Sequence, residues 1–277
     1  MKRFISIAAA LAALATFVAA SPSSAPHVRI VALVPSFVED LFAIGAGSQV
    51  VGVSVYGNDV PGAEHIPVVA DFSSVDSEKI VALHPDLVLG IPAQGRLLDA
   101  LQRAGIDVVL LKDDSYGDIF LDLTVIGDLS GHSREAGALT ARLSHETDTI
   151  RAKTRSFKHV PSVFVALGTG PIWTVGPKSY IAKLIELAGG RNAASDLPEA
   201  YGQYSAEALL RAQPDAIVTD RAVHLETVLD REPWRSLRAV QQHHIFIVDP
   251  AAILERPGPG YTEGLRWLVE RLTPLAQ

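Results

Sequence analysis

Glu78-Lys79-Ile80-Val81-Ala82-Leu83-His84-Pro85-Asp86-Leu87-Val88 aligns with Glu207-Ala208-Leu209-Leu210-Arg211-Ala212-Gln213-Pro214-Asp215-Ala216-Ile217, with Glu, Pro and Asp in identical places 129 residues apart. Leu41 to Gly47 likewise echoes Leu184 to Gly190, at a spacing of 143. Two echoes in the same order indicate two similar lobes whose loops differ in length. Around the first copy of each segment, Val28 to Val34 is apolar apart from Arg29, as expected of a strand buried on both faces. Pro35-Ser36 then opens a helix, with Phe37, Leu41 and Ile44 at helical spacing, which Gly45 to Gly47 stop. Val50 to Val53, Asp86 to Leu89 and Val108 to Leu111 read as further strands with short helices between. This alternation predicts an α/β layer of mostly parallel strands.

A second series of the same kind begins at Pro161: a strand over Val163 to Leu167, a helix near Ser179 to Leu187, strands over Ala216 to Thr219 and Ile245 to Val248, and a closing helix over Thr262 to Leu272. Between the two series, Ala93 to Val160 contains no proline. Ser133 to Phe157 reads there as one helix, with Ala136, Leu143, Ile150 and Phe157 at sevenfold spacing. Some 25 residues of helix span roughly 37 Å, enough to cross from one lobe to the other, and a flexible hinge is richer in Gly and Pro. The expected fold is therefore two similar α/β lobes joined by one long rigid helix, divided as 28–131, 132–157 and 158–277. The cleft between them is the natural binding place.

The N-terminus names a compartment. Lys2 and Arg3 form a basic head, Phe4 to Ala20 an apolar run of about 17 residues, and Val18-Ala19-Ala20-Ser21 a small-residue exit, the pattern of a secretory signal cleaved after Ala20. Cleavage after Ala25 is disfavoured because Pro26 follows. Losing Lys2 and Arg3 leaves 22 basic residues against 31 acidic ones, which argues against nucleic acid as a partner. Cysteine is absent, so disulfides, thiolate zinc sites and a lipid-modified cysteine are excluded. A soluble, monomeric periplasmic protein is expected.

Catalytic signatures are missing: there is no GxSxG elbow, no HExxH, no P-loop and no thiol. Gly45-Ala46-Gly47 meets Val50 where a dinucleotide fingerprint needs glycine, and so reads as a helix C-cap. The nine histidines are scattered except His243-His244, which precede a strand and read as surface residues. Only 18 aromatic residues exist, and several fall in loops: Tyr56 after a strand, Phe72 before a helix, Trp173 after the Val163 strand, and Tyr201 among Pro198, Gly202 and Gln203. Loops after strand ends form the crevice of open α/β sheets, and aromatics there suit a large flat ligand.

Arg29 to Ser36, Leu41 to Gly47, Val51-Gly52-Val53 and Ile80 to Leu89 resemble the periplasmic iron-siderophore and cobalamin binding proteins. So do Ala188-Gly189-Gly190-Arg191-Asn192, Glu207 to Ile217 and Arg256-Pro257-Gly258-Pro259. The resemblance covers almost the whole chain after the signal. It implies a solute-binding protein of an ABC importer, two α/β lobes bridged by a long helix, and no resident cofactor, the metal arriving within the ligand. Tyr56 in Gly52 to Tyr56, Trp173 in Pro171 to Thr174, and Tyr201 ahead of Gln203 match positions where cobalamin binders place aromatics around the corrin, and Phe72 falls where they carry tryptophan. Arg256 joins them as a ligand-binding residue. Haem binders place a tyrosine ligand where this chain has Asp71, so a corrinoid is favoured, with ferric siderophore or haem as alternatives. The family pattern continues the Arg256 motif with arginine, where this chain has Gly260. Glu78 and Glu207 match glutamates that dock on the two halves of the inner-membrane permease, while their place in a first helical turn also fits simple helix-dipole stabilisation. Binding rather than catalysis is expected; a chelatase-like enzyme, with His65 and Glu64 as proton acceptors, and a structural or signalling module are the competing readings.

Overall fold

The computed structural model describes residues 28–71 and 73–277; the expected signal segment and Phe72 lie outside the described residues. The first lobe holds β1 (Ile30–Ala32), α1 (Pro35–Ala43), β2 (Val50–Ser54), β3 (Val68–Ala70), α2 (Ser77–Ala82), β4 (Leu87–Gly90), α3 (Gly95–Arg103), β5 (Asp107–Leu110) and α4 (Tyr116–Ser130). Its five strands are all parallel, in the order β3-β2-β1-β4-β5. Central strands buried on both faces must be apolar throughout, and Ile30, Val31 and Ala32 are fully buried between the helical layers.

The helix α5 (Ser133–Thr154) follows, 22 residues and about 33 Å long. It ends three residues before Phe157, so the expected stripe is shortened. Its buried residues are Ala136, Leu139, Leu143, Thr147 and Ile150, a stripe that repeats at three and four rather than strictly at seven.

The second lobe contains β6 (Ser162–Ala166), β7 (Gly168–Thr169), β8 (Ile172–Val175), α6 (Tyr180–Leu187), β9 (Arg191–Asn192), β10 (Tyr201–Gln203), α7 (Ala206–Ala212), β11 (Ala216–Asp220), α8 (Arg238–Gln241), β12 (Ile245–Val248), α9 (Ala252–Glu255) and α10 (Tyr261–Leu272). Its parallel sheet runs β12-β11-β6-β9, and a separate antiparallel sheet runs β10-β8-β7. Read from the other edge, β9-β6-β11-β12 repeats β2-β1-β4-β5 of the first lobe.

The repeat extends to individual hydrogen bonds. Asp76 caps α2 by accepting from the Lys79 amide at 2.9 Å, and Ser205 caps α7 by accepting from the Ala208 amide at 3.1 Å. Both helices exit through a left-handed residue before proline, His84 (φ 47°) and Gln213 (φ 40°). The following aspartate then accepts from the amide at the head of the lobe's central strand: Asp86 from Arg29 and Asp215 from Ser162, each at 2.8 Å. The other echo shifts by one residue. Gly45 (φ 87°) corresponds to Gly189 (φ 81°), and the amide of Ala46 bonds the Leu41 carbonyl as that of Gly190 bonds Ile185. The structural spacing is thus 144, because the left-handed glycine after the helix sets the register where letter matching did not.

Three hydroxyl groups tie the lobes to the rod. Tyr261 on α10 approaches Thr147 on α5 at 2.6 Å, and Tyr116 at the head of α4 lies 3.2 Å from Tyr261. The rings of Tyr116, Phe120 and Tyr261 meet edge to face around this point. Arg266 on α10 also pairs with Glu146 on α5.

Candidate functional site: the cleft between the lobes

The C-terminal ends of the strands in both lobes point into one cleft, where open α/β sheets bind ligands. A cavity of about 570 Å³ is lined by Glu39, Asp59, Pro61, Ala252, Arg256 and Glu263 among others. A neighbouring cavity of about 370 Å³ shares Asp59, Ala252 and Arg256 with it and adds Ser36, Tyr56, Asp113 and Glu255.

Tyr56 begins the loop after β2 and is half exposed. Hydrogen bonds from the Asn58 side chain to the carbonyls of Ala63 (2.8 Å) and Ile66 (3.3 Å) hold that loop in place. Trp173 and Tyr201 are not loop residues, as the sequence suggested, but strand residues on β8 and β10. Strands of two to four residues, as β7, β10 and β8 are, are too short to leave a period-2 signal. Register matters here: Trp173 pairs with Gln203 and Tyr201 lies two residues before it, so Trp173, Gln203 and Tyr201 share one exposed face. Thr174 and Gly202 point the other way and are buried. Gly176 lets the strands close up, since a Cβ there would collide with the Glu199 carbonyl, and its amide bonds the Ala200 carbonyl at 2.8 Å.

Tyr201 reaches across the cleft electrostatically. Its hydroxyl is pushed up to about 12, by desolvation first and then by Asp114, Asp113 and Glu255, so it stays protonated and able to donate. Asp113 and Asp114 follow β5 of the first lobe, whereas Glu255 ends α9 of the second. Tyr56 and Arg256 thus line one cavity together, and Tyr201 lies within electrostatic range of Asp113 and Glu255 in the same lining; Trp173 shares the exposed face of Tyr201, and neither of these two rings lines the cavities themselves.

Arg256 lies 4.0 Å from Glu39 on α1, and the same carboxylate accepts from the Gly260 amide at 3.0 Å. At Gly260, where the family motif carries arginine, a Cβ would lie 2.6 Å from Glu39 Oε1, so a side chain there would move the Glu39 carboxylate out of this contact. Burial raises Glu39 above the usual carboxylate range, against the pull of Arg256 and the Gly260 amide.

The carboxylates are what the sequence reading missed. Burial, reinforced by Asp114 and Asp118, pushes Asp113 up to about 7, although Ser36 donates to it at 2.9 Å. Burial and Asp220 raise Glu255. The signal was available, since Asp113-Asp114 directly follows a strand end. Beneath the cleft, Asp40 on α1 and Asp122 on α4 are buried with carboxyl oxygens that no protein group satisfies.

Other candidates fall outside this convergence. Glu64 is exposed and held low by the amides of Glu64 itself and Gly62, the opposite of what a proton acceptor needs, and neither it nor His65 lines the two cavities. Asp71 accepts from the amides of Ser73 and Ser74, both at 2.7 Å, closing a turn. His244 turns its Nδ1 to the Asp215 carbonyl at 3.1 Å. Among the described residues no group of three or more His, Asp and Glu is arranged to hold a metal ion. Glu78 and Glu207 are exposed second residues of α2 and α7, one on each lobe and away from the cleft.

Fold and cleft together describe a two-lobed binding protein of the periplasmic type. The periplasmic binding protein family matches residues 30–252, and the chain belongs to it. It is 32% identical over 254 residues to an uncharacterized ABC transporter substrate-binding lipoprotein of Bacillus subtilis, covering 89% of this chain and 80% of that one. It is 31% identical over 196 residues to a vitamin B12-binding protein of Pectobacterium carotovorum, covering 69% and 70%. Among solved structures, a periplasmic haem-binding protein of Roseiflexus sp. RS-1 superimposes with a TM-score of 0.81 at 25% identity, covering 90% of this chain and 99% of that one. Relatives named for different ligands share this architecture, so the ligand is set by the lining of the cleft and not by the fold.

Proposed function

We propose that the protein is the periplasmic solute-binding component of an ABC importer that captures a bulky metal chelate, a corrinoid such as cobalamin in the first place, between its lobes and delivers it to the inner-membrane permease. The observation that carries this reading is a cleft cavity lined by Tyr56 of one lobe, with Trp173 and Tyr201 exposed together on one sheet face of the other and Tyr201 in electrostatic range of the lining residues Asp113 and Glu255. In this reading the partly exposed rings cover the faces of a large planar ligand, because each covers apolar area at small entropic cost. Phe72 and Arg256 complete the proposed set. The vitamin B12-binding relative supports the corrinoid over siderophore or haem.

Lobes at 28–131 and 158–277, hinged on the helix over 132–157, act in this reading as two jaws of limited closure, and the protein works as an exported monomer whose signal is removed after Ala20. Glu78 and Glu207 present one carboxylate per lobe to the two halves of the permease. Native mass spectrometry with absorbance of the protein purified from its own periplasm tests the proposal. A stoichiometric, unreacted corrinoid is the expected result. Turnover of a free tetrapyrrole would establish a chelatase-like enzyme in its place.

A further inference from the structure

Resting on the binding role proposed above, we infer that the cleft sorts ligands by charge: it accepts neutral or cationic chelates whose rims donate hydrogen bonds and turns away chelates bearing carboxylates or catecholates. The two adjoining cavities are lined by five acidic side chains, Glu39, Asp59, Asp113, Glu255 and Glu263, drawn from both lobes. Among the described residues Arg256 is the one basic residue lining them. Its guanidinium lies 4.0 Å from Glu39, so part of its charge is offset within the cleft itself.

An anion entering this space loses water and meets five acidic side chains against one guanidinium, which is an element of rejection and not merely of missing attraction. Amide N–H groups or a net positive charge meet acceptors instead. Burial first, then Asp114 and Asp118, brings Asp113 to about 7 against the pull of Ser36 and Arg256, and burial and Asp220 raise Glu255. A cationic ligand draws these groups into the carboxylate form, where they pair with it. The corrin rim carries amides, whereas haem carries two propionates and a triscatecholate iron complex is trianionic. On charge the last two are the ligands this lining opposes.

The test titrates the full mature chain with five probes by calorimetry and absorbance: cyanocobalamin (neutral), aquacobalamin and ferrioxamine B (cationic), and haemin and ferric enterobactin (anionic). Corrinoids are expected to bind at least about 100-fold more tightly than haemin. Rising salt is expected to weaken aquacobalamin and to strengthen what haemin binding exists. In Asp113→Asn/Glu255→Gln the haemin-to-aquacobalamin affinity ratio is expected to rise at least about tenfold. Because a ratio measured on one sample cancels loss of folded protein, an unchanged ratio overturns the inference. Haemin or ferric enterobactin binding as tightly as the corrinoids, with no salt effect of opposite sign, overturns it as well. If corrinoids fail while ferrioxamine B binds and ferric enterobactin does not, the charge rule stands and the corrinoid reading falls.

Discussion

Replacing Trp173 with alanine removes a side chain that the folded protein leaves 41% exposed on the sheet face it shares with Tyr201. A tryptophan presents about 250 Å² when fully accessible, so roughly 100 Å² is available for a ligand to cover. At about 25 cal/mol per Å² that is ~2.5 kcal/mol of apolar contact, and allowing for the alanine left behind, ~2 kcal/mol is lost, close to 30-fold in Kd. Tyr201→Ala, equally exposed, is expected to cost ~1.5–2 kcal/mol, and Tyr56→Ala, 51% exposed, about the same. Because these rings are already open to water, truncation leaves the core intact and the melting temperature nearly unchanged. Calorimetry with cyanocobalamin reads the losses. Neighbouring rings share one ligand face, so double mutants are expected to fall short of additivity. Folded variants of Trp173, Tyr201 and Tyr56 that each bind within about twofold of the wild type would refute the proposed pocket.

Two further outcomes are expected. Asp122 is 2% exposed, its carboxyl oxygens have no protein partner, and burial followed by Asp113 and Asp118 pushes it up to about 8, while burial and Asp122 raise Asp40 beside it. The folded state thus keeps a proton on Asp122 that the unfolded chain releases near pH 4, so this group lowers stability as pH rises from about 4 to about 8; Asp122→Asn removes its share of the fall and leaves that of Asp40, Asp113 and Glu255, a gain at pH 9 on the order of 5 kcal/mol, or roughly 10–20 °C in Tm, and calorimetric scans with parallel pH slopes in both proteins would contradict it. Glu78→Lys combined with Glu207→Lys exchanges two exposed charges outside the cleft, so ligand affinity should hold and helix-dipole losses stay near 0.3–1 kcal/mol each, yet uptake in cells should stop; normal uptake would leave these glutamates with helix stabilisation alone.

The lobes, their order and their repetition were legible in the chain because each rests on local chemistry. The apolar run at Ile30, Pro35 at the head of α1, the Glu-to-Pro-Asp segments and the proline-free stretch over α5 state period, start and stop within a few residues. Letters alone could not count the one-residue shift between Gly45 and Gly189, which depends on which residue turns left-handed after the helix. Nor could they foretell the small antiparallel sheet. β7 and β10 are too short for a hydrophobic pattern, and pairing with β8, not propensity, makes them strands. That pairing decides which way Trp173 and Tyr201 face. The acidity of the cleft is likewise a tertiary property: Glu39, Asp59, Asp113, Glu255 and Glu263 are dispersed over more than 200 positions of a modestly acidic chain. Only the docking of α1 against the α9–α10 turn brings Glu39 near Arg256 and gathers the acidic side chains of both lobes around that one guanidinium. Sequence patterns specify elements because those depend on near neighbours along the chain; charge balance in a cleft depends on neighbours in space, and the fold alone chooses those.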